Sequence, residues 1–370
     1  APAGEAGTLL LDPGTVTITD GEDPPPPGSF NTFNDGWINT QLASGSLVIS
    51  TDDASTGDAD INLDAGVEIV LDSDDLTFDA GRNIDLNDAD FTGAGTGGGD
   101  GKLVLQFGQS GDGTLDFGTA AFATLAGTIE GDDANTNTLS GANSYTVDGD
   151  GSGSVLIFNF SGVANLTGTG DADTFTIDGG SIGALEGLAG DDTVTVNDGG
   201  FDFFDGGDNA DHVDYTKNNQ DVDLAAVGFT DVETVAATGT GNHDLEGVTD
   251  ATFTADNLVR ANGPGGPVFS GFTKLMGTGS GDSFNLAGFD FAGTIDGGGG
   301  IDTLQGADSY EVTSDNKGLA GAGSETDFEN VENLTGTSGA DSFTLTAGAI
   351  GTLSGLGADD TLTVNGGTFT

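Results

Sequence analysis

Apolar and acidic residues recur along this chain at intervals of nineteen positions. The apolar series includes Leu166, Leu185 and Phe204. The acidic series includes Asp173, Asp192 and Asp211. A fixed period of about 20 residues is too short for a helical hairpin repeat and is typical of a β-solenoid, whose stacked coils bury one continuous core. We therefore expect an all-β protein with coils of about 19 residues.

Within each period, polar and apolar residues alternate. The segments DTFTI at 173–177, DTVTV at 192–196 and DTLTV at 360–364 follow this rule. Alternation with period two predicts β-strands, with Phe175 and Ile177 directed inward and Thr174 and Thr176 directed outward. Gly, Asn and Asp cluster between these segments, where turns need positive φ or side-chain hydrogen bonds to the backbone.

A longer duplication divides the chain. Residues 163–199 match residues 331–367 at most positions without a gap, an offset of 168 residues. We expect an N-terminal segment over 1–106, a first repeat module over 107–272 and a second, truncated module over 273–370. Loops are predicted at the four prolines 24–27, at 92–101 and at 263–267. Because the chain opens on Ala1-Pro2 and stops inside a repeat, we expect a piece of a longer polypeptide.

The charge restricts the possible partners. The 370 residues include 6 Lys+Arg and 61 Asp+Glu, a formal net charge of −55. Such an excess repels nucleic acid and anionic membrane surfaces and attracts divalent cations. It also suits life at high salt, as in marine water, since screening shortens the reach of self-repulsion. There is no cysteine, so disulfides and thiolate metal sites are excluded.

Four segments in the first 107 residues resemble a known family. They are LLLDPGTVTITDG at 9–21, INTQLASGSLVIST at 38–51, LTFDAGRNIDLNDADF at 76–91 and GKLVLQF at 101–107. These segments resemble the filamentous haemagglutinin-type exoproteins, large adhesins exported by two-partner secretion. The resemblance implies a right-handed parallel β-helix, a Gram-negative source and an outer-membrane secretion partner. The family's secretion domain and its Asn-Pro motif are not in the sequence, so the export route rests on the resemblance alone.

The turns rich in Gly and Asp resemble the calcium-binding nonapeptides of repeats-in-toxin proteins, G-G-x-G-x-D-x-U-x with U apolar. Residues 297–304, GGGGIDTL, fit this pattern fully. The resemblance implies Ca²⁺ ligands at Asp173, Asp192, Asp211, Asp302, Asp341 and Asp360, because Ca²⁺ prefers oxygen ligands. The motif occurs once per coil and not twice in tandem. The alternative is that these carboxylates cap their turns by accepting backbone N–H groups, and the sequence leaves both open.

Enzymatic interpretations have weak support. An acidic pair such as Asp191-Asp192 could serve glycoside chemistry, yet equivalent pairs recur along the chain, as expected of a scaffold. His212 and His243 are isolated, and we expect both to be solvated turn residues. The threonine pairs 174/176 and 193/195 suggest a water-ordering ladder, but the next copy reads His212 and Asp214. We interpret them as β-branched residues on an exposed strand.

The sequence therefore predicts a non-catalytic, secreted structural protein of the cell surface or extracellular matrix. It would serve as an adhesin stalk, or as a subunit that self-associates end to end into filaments. Its expected partners are other copies of the chain and cell-surface or matrix polysaccharide, without nucleic-acid binding or membrane insertion. The alternative is a calcium-dependent β-helix protein that binds or cleaves carbohydrate. Apart from Ca²⁺, no cofactor is expected.

Overall fold

The computed structural model describes residues 7–11, 14–21, 31–51, 59–71, 73–93, 101–123, 125–217, 219–321 and 325–369. The proline run at 24–27 and most of the loop predicted at 92–101 lie outside these residues. The chain divides into two compact units, one of Ala1–Asp192 with Asp198–Phe201 and the other of Thr193–Asn197 with Asp202–Thr370. The predicted division at 106/107 and 272/273 stays a prediction.

The regular elements of the described part are strands, as expected, except for one helix, α1, over Asp35–Leu42. No described helix is long and apolar enough to cross a membrane. The strands of the first unit are β1 Gly7–Leu11, β2 Val16–Thr19, β3 Thr32–Asn34, β4 Leu47–Thr51, β5 Ile61–Leu63, β6 Glu68–Leu71, β7 Leu76–Ala80, β8 Ile84–Asp85, β9 Asp90–Gly93, β10 Lys102–Phe107, β11 Thr114–Asp116, β12 Ala121–Ala123, β13 Ala126–Gly131, β14 Thr138–Ser140, β15 Ser144–Gly149, β16 Ser152–Val155, β17 Phe158–Ser161, β18 Asn165–Thr167, β19 Thr174–Ile177 and β20 Ser181–Glu186.

The strands that follow belong to the second unit, except that β22 begins in the first. They are β21 Thr193–Val196, β22 Gly200–Asp205, β23 His212–Tyr215, β24 Val222–Asp223, β25 Gly228–Thr230, β26 Thr234–Ala237, β27 Asp244–Glu246, β28 Asp250–Ala255, β29 Leu258–Ala261, β30 Val268–Ser270, β31 Lys274–Met276, β32 Ser283–Asn285, β33 Thr294–Asp296, β34 Thr303–Gln305, β35 Ser309–Ser314, β36 Lys317–Ala320, β37 Thr326–Glu329, β38 Asn333–Thr335, β39 Ser342–Leu345, β40 Ala349–Ile350, β41 Thr352–Ser354, β42 Thr361–Val364 and β43 Thr368–Phe369. The loop predicted at 263–267 lies between β29 and β30, as expected.

Long parallel sheets organise the first unit. One sheet runs β3–β2–β5–β8–β11–β14–β18–β20, a second runs β1–β4–β7–β10–β13–β17, and β6, β9 and β12 form a third. In the first of these sheets, equivalent side chains stack in register. The stack consists of Ile61, Ile84, Leu115, Leu139, Leu166 and Leu185, all without solvent exposure. Burying each such side chain contributes about 1.5–3 kcal/mol, so these stacks are the main stabilising feature of the sheet.

The alternation of inward and outward side chains is confirmed. Phe175 and Ile177 have no exposed surface, while Thr174 is exposed and Thr176 is half-buried. The second unit repeats the arrangement in the parallel sheets β28–β32–β34–β38–β41 and β24–β27–β31–β33–β37. Most described strands therefore place their apolar residues in the core and their polar residues outside, with β42 as an exception.

The nineteen-residue spacing is confirmed for some neighbouring strands but not for others. Leu166 pairs with Leu185, nineteen residues later, and Ser342 pairs with Thr361 over the same interval. Leu47, by contrast, pairs with Leu76, and Thr234 with Val268. Among the described residues, three antiparallel insertions, β15–β16–β17, β28–β29–β30 and β35–β36–β37, lengthen some of these intervals, including the one from Thr234 to Val268. The described part of the interval from Leu47 to Leu76 contains β5 and β6 and no antiparallel pair.

A buried tyrosine anchors two of these insertions to the parallel sheets. The Tyr145 hydroxyl accepts the N–H of Ala142 at 3.1 Å and donates to the Thr167 carbonyl at 2.9 Å. Its ring stacks on Phe175 with centroids 5.6 Å apart. Burial raises the pKa of this hydroxyl, which therefore stays neutral and able to donate. The insertion β35–β36–β37 repeats these contacts through Tyr310, Ala307, Thr335 and Phe343.

Helix α1 covers the backbone edge of β6. Its Asp35 carboxylate accepts the N–H of Glu68 at 2.8 Å, and Asn39 accepts the N–H of Val70 at 2.9 Å. Asn39 also donates to the Glu68 carbonyl at 2.8 Å. Helix side chains thus satisfy the groups that a neighbouring strand would otherwise pair, which prevents that edge from recruiting another chain. Asn34 caps the start of the helix, since its side chain accepts the N–H of Trp37.

Candidate functional site: the acidic turns

Within the described ranges, seven turns fill the gap between two consecutive strands with a segment that starts with Gly and ends with Asp five residues later. We call them the acidic turns; they comprise residues 168–173, 187–192, 206–211, 277–282, 297–302, 336–341 and 355–360. They contain every residue predicted as a Ca²⁺ ligand. Six of the seven aspartates are buried, and only Asp360 is exposed. A buried carboxylate must find hydrogen-bond donors or carry a large free-energy cost.

The turn that ends at Asp173 shows how that need is met. Oδ2 accepts the N–H of Thr169 at 2.7 Å, and Oδ1 accepts the Thr169 hydroxyl at 3.1 Å. The Asp341 carboxylate likewise accepts the N–H and the hydroxyl of Thr337, both at 2.9 Å. The Asp282 carboxylate accepts the same two groups of Thr278. These carboxylates therefore close their own turns.

In six of the seven acidic turns, all but 187–192, a Cβ on the opening glycine would clash with the carboxylate that folds over it. A Cβ placed on Gly168 would lie 2.1 Å from Oδ2 of Asp173, and one on Gly336 would lie 2.2 Å from Oδ2 of Asp341. The Gly-x-x-x-x-Asp pattern thus has a packing explanation that does not involve a metal ion.

Carboxylates also join successive acidic turns to one another. Oδ1 of Asp192 accepts the N–H of Asp173 at 2.7 Å, and Oδ1 of Asp360 accepts the N–H of Asp341 at 3.0 Å. Where the following segment has no equivalent Asp, a glutamate accepts the N–H instead. The glutamate pairs are Asp211 with Glu233 at 2.6 Å and Asp302 with Glu332 at 2.9 Å.

Asp302 differs from Asp173, Asp282 and Asp341, whose carboxylates hold a threonine of their own turn. Its Oδ1 accepts the N–H of Asp282 at 2.7 Å, but no donor among the described residues reaches its buried Oδ2. The turn has Gly298 where Asp173 and Asp341 have a threonine partner, so it offers no hydroxyl. The Gly298 N–H is directed instead to Oδ1 of Asp296, at 3.1 Å.

This arrangement affects protonation. The pKa of Asp302 is raised to about 6, chiefly by burial and in addition by the nearby carboxylates of Asp282, Glu332 and Asp296, against the hydrogen bond from the Asp282 backbone N–H. Burial likewise raises the pKa of Asp173, although its hydrogen bonds from Thr169 oppose the change.

The six predicted Ca²⁺ ligands do not meet in one place. The structure brings together Asp173 with Asp192 and Asp341 with Asp360, through amide hydrogen bonds. Among the described residues, no group of three or more acidic or histidine side chains is arranged to hold a metal ion. At Asp173 and Asp341 both carboxylate oxygens already accept protein donors, which does not fit Ca²⁺ coordination; Asp302, with one buried oxygen to spare, fits better.

Sequence reasoning missed three members of this system. Asp282, Glu233 and Glu332 were not among the candidates, although the phrase GTGSGD at 277–282 repeats the pattern of 168–173. No local signal marks the two glutamates, since their role comes from the pairing of distant strands.

The prediction for His243 was wrong. Its side chain is only 1% exposed, and Nδ1 lies 2.9 Å from the carbonyl oxygen and 3.2 Å from the backbone nitrogen of Gln220. The ring therefore serves as a backbone partner between β24 and β27 and is not a solvated residue. His212 is half-buried and contacts Thr234, while His212 and Asp214 follow Thr193 and Thr195 in register, as the sequence indicated.

In the second unit, lysine side chains form ion pairs with the stacked carboxylates of Asp296 and Glu329. Lys274 Nζ lies 2.8 Å from Asp296 and 3.2 Å from Glu329, and Lys317 lies 3.1 Å from Glu329. Burial alone would raise the pKa of Asp296, but hydrogen bonds from Lys274, Asn330 and a backbone N–H bring it below its usual range. The hydrogen bond from Lys317 is the main cause that lowers the pKa of Glu329.

The chain matches no protein-family model and no curated protein sequence. The filamentous haemagglutinin and repeats-in-toxin resemblances thus stay predictions from the sequence.

Proposed function

We propose that this chain is a non-catalytic structural part of a secreted protein at the cell surface or in the extracellular matrix of a Gram-negative bacterium. Each compact unit would be a right-handed parallel β-helix with short coils. The observation that carries the proposal is the in-register stack of buried aliphatic side chains from Ile61 to Leu185. Such stacking repeats one structural solution along the chain, which suits a protein selected for length.

The acidic turns support a scaffold role. Their carboxylates bind backbone groups of their own and neighbouring turns, so they stabilise the fold and leave few oxygens for chemistry. The same pattern recurs in both units, whereas a catalytic centre requires one distinct constellation. The family resemblance adds secretion through an outer-membrane partner and an adhesive role.

Two forms of this function compete. In one, the chain is part of a monomeric adhesin stalk; in the other, copies join end to end through the edges of their sheets. In β42, Leu362 and Val364 are 50% and 53% exposed, and a further strand from the same chain or from another copy would cover them. Cell-surface or matrix polysaccharide is the proposed external partner. The carbohydrate-cleaving alternative has no specific observation in its favour.

Electron microscopy of the native protein, together with cell fractionation, tests the proposal. We expect the protein in the extracellular or surface fraction, either as separate particles for a stalk or as long uniform fibres for a filament. Recovery in the soluble intracellular fraction would contradict the proposal.

A second proposal concerns Ca²⁺. We propose that, if the acidic turns bind this ion, the site is the turn that ends at Asp302. The spare oxygen of Asp302 lies beside other carboxylates, and a divalent cation there would offset their repulsion. This turn contains both the segment 297–304, which fits the calcium-binding pattern fully, and the buried Oδ2 of Asp302, which has no hydrogen-bond donor among the described residues.

The variant Asp302→Asn tests this site. A carboxyl whose folded pKa is raised to about 6 destabilises the fold above that pH, and the penalty declines as pH falls toward 4. We expect the variant to raise the free energy of unfolding by about 1–3 kcal/mol at pH 7.5 in low salt without Ca²⁺, and the gain to vanish near pH 4. Denaturant unfolding across this pH range is the measurement.

The control is Asp341→Asn, which removes an acceptor that two protein donors use. We expect that variant to lose about 1–2 kcal/mol at pH 7.5. Ca²⁺ should raise the melting temperature of the parent protein and EDTA should lower it, with neither effect in Asp302→Asn. Superimposable melting curves of the parent with Ca²⁺ and with EDTA would remove the calcium proposal.

A further inference from the structure

The sheet β28–β32–β34–β38–β41 of the second unit presents an almost uncharged outer surface. Its outward side chains form two in-register rows across five strands. The first row is Asp250, Ser283, Thr303, Asn333 and Thr352, and the second is Thr252, Asn285, Gln305, Thr335 and Ser354. We call these ten residues the neutral face. Only Asp250 carries a charge, in a chain whose net charge is −55.

The neighbouring sheet of the same unit is different. Six charged residues occupy the outward positions of β27, β31, β33 and β37: Asp244, Glu246, Lys274, Asp296, Asp327 and Glu329. Strands of the two sheets alternate along the same stretch of chain, residues 244–354. The difference between their outer surfaces is therefore not a consequence of overall composition. A neutral polar surface in the same unit as an acidic one indicates a different contact partner.

The neutral face keeps hydrogen-bonding groups available. Among the described residues, the side chains of Ser283, Gln305, Thr335, Thr352 and Ser354 have no hydrogen-bond partner. All but Thr352 are half-buried, so their positions are restricted by packing, while Thr352 is exposed. Adjacent strands lie ~4.8 Å apart, and the face therefore repeats donors and acceptors at a short regular interval.

A cleft adjoins the first strand of this face. It has a volume of about 380 Å³ and is lined by Asp250, Thr252, Arg260, Gly263 and Pro264. That volume lies within the range of small-molecule sites. Arg260 pairs with Thr252 across β28 and β29, and its guanidinium donates to the Gly266 carbonyl. The face thus ends beside a fixed cation and a carboxylate, both of which form strong hydrogen bonds with hydroxyl groups.

We propose that the neutral face binds an uncharged polysaccharide that lies across the five strands and reaches the cleft beside Arg260. The inference rests on the proposed surface function and narrows its polysaccharide partner to the neutral class. Neutral sugars present regularly spaced hydroxyls that match rows of Ser, Thr, Asn and Gln. An anionic polymer would be repelled by the acidic surface, and a cationic polymer would favour the sheet that holds Asp327 and Glu329.

Binding to insoluble neutral polysaccharides tests the proposal. The probes are microcrystalline cellulose, curdlan and chitin, with heparin-agarose as the anionic comparison. The face variant combines Ser283→Ala, Thr303→Val and Thr335→Val, which remove hydroxyls but keep β-branching where it is present. The control combines Ser309→Ala, Thr294→Val and Thr344→Val, the same changes at half-buried strand positions of the second unit outside the neutral face.

We expect the parent protein and the control to bind at least one neutral probe equally well, and the face variant to bind it at least 10-fold more weakly. Affinity should change less than 2-fold between 0.1 and 1 M NaCl and persist in EDTA, since no ion pair or bridging cation is involved. Equal binding by the face variant and the parent would overturn the neutral face while the surface function stands. The neutral face would also be overturned if the parent protein bound none of the neutral probes, or bound heparin-agarose more tightly than all of them. The surface function itself is contradicted only by recovery of the protein in the intracellular fraction.

Discussion

Leu304→Ala is expected to lower the free energy of unfolding by about 2–5 kcal/mol, the usual cost of a large cavity in a packed core. Leu304 has no exposed surface and lies in register between Phe284 and Leu334, so the loss would interrupt a stack in the middle of its sheet. Urea unfolding followed by circular dichroism measures the change.

The neighbouring position supplies the control. Thr303 points outward on the same strand, and Thr303→Val keeps the β-branched shape, so a change within about 0.5 kcal/mol is expected. Similar losses for the two variants would mean that inward and outward positions do not alternate here.

Gly168→Ala is expected to cost about 2–4 kcal/mol, because the new methyl group would displace the buried Asp173 carboxylate and break the hydrogen bonds that close the turn. The added Cβ would lie 2.1 Å from Oδ2. Thermal unfolding at pH 7 measures the loss.

Gly170→Ala, in the same turn, is the matched comparison. Nothing lies within 4 Å of a Cβ at that position, so it should leave stability unchanged within about 0.5 kcal/mol. If both alanine variants were equally stable, the carboxylate would not depend on the glycine, and the packing explanation of the Gly-x-x-x-x-Asp pattern would be wrong.

Local patterns in the sequence were enough to predict the strands and their inward faces. Alternation at 173–177 identified Phe175 and Ile177 as core residues, because a half-buried strand requires that pattern at each repeat. The nineteen-residue interval was correct where one further strand and two short turns complete the coil, as between Leu166 and Leu185. It was incomplete where antiparallel strands lengthen the interval, as between Thr234 and Val268, where β28 and β29 intervene.

Features that depend on distant contacts were not predictable. Helix α1 is eight residues long, and its Asp35 and Asn39 contact β6, about thirty positions away. The burial of His243 likewise depends on Gln220. The acidic turns were found as a pattern, but the pairing of Asp302 with Asp282 and Glu332 emerged only from the register of the strands.

Disulfide trapping tests the central claim, the in-register parallel pairing of strands far apart in sequence. The chain has no cysteine, so an introduced pair is unambiguous. Ser309 and Ser342 are directly opposed on β35 and β39, whereas Thr344 lies two positions further along. Directly opposed residues lie within disulfide range, and the diagonal pair does not. We predict rapid intramolecular cross-linking for Ser309→Cys with Ser342→Cys, and none for Ser309→Cys with Thr344→Cys; no cross-link in the first pair, or equal cross-linking in both, would contradict the account.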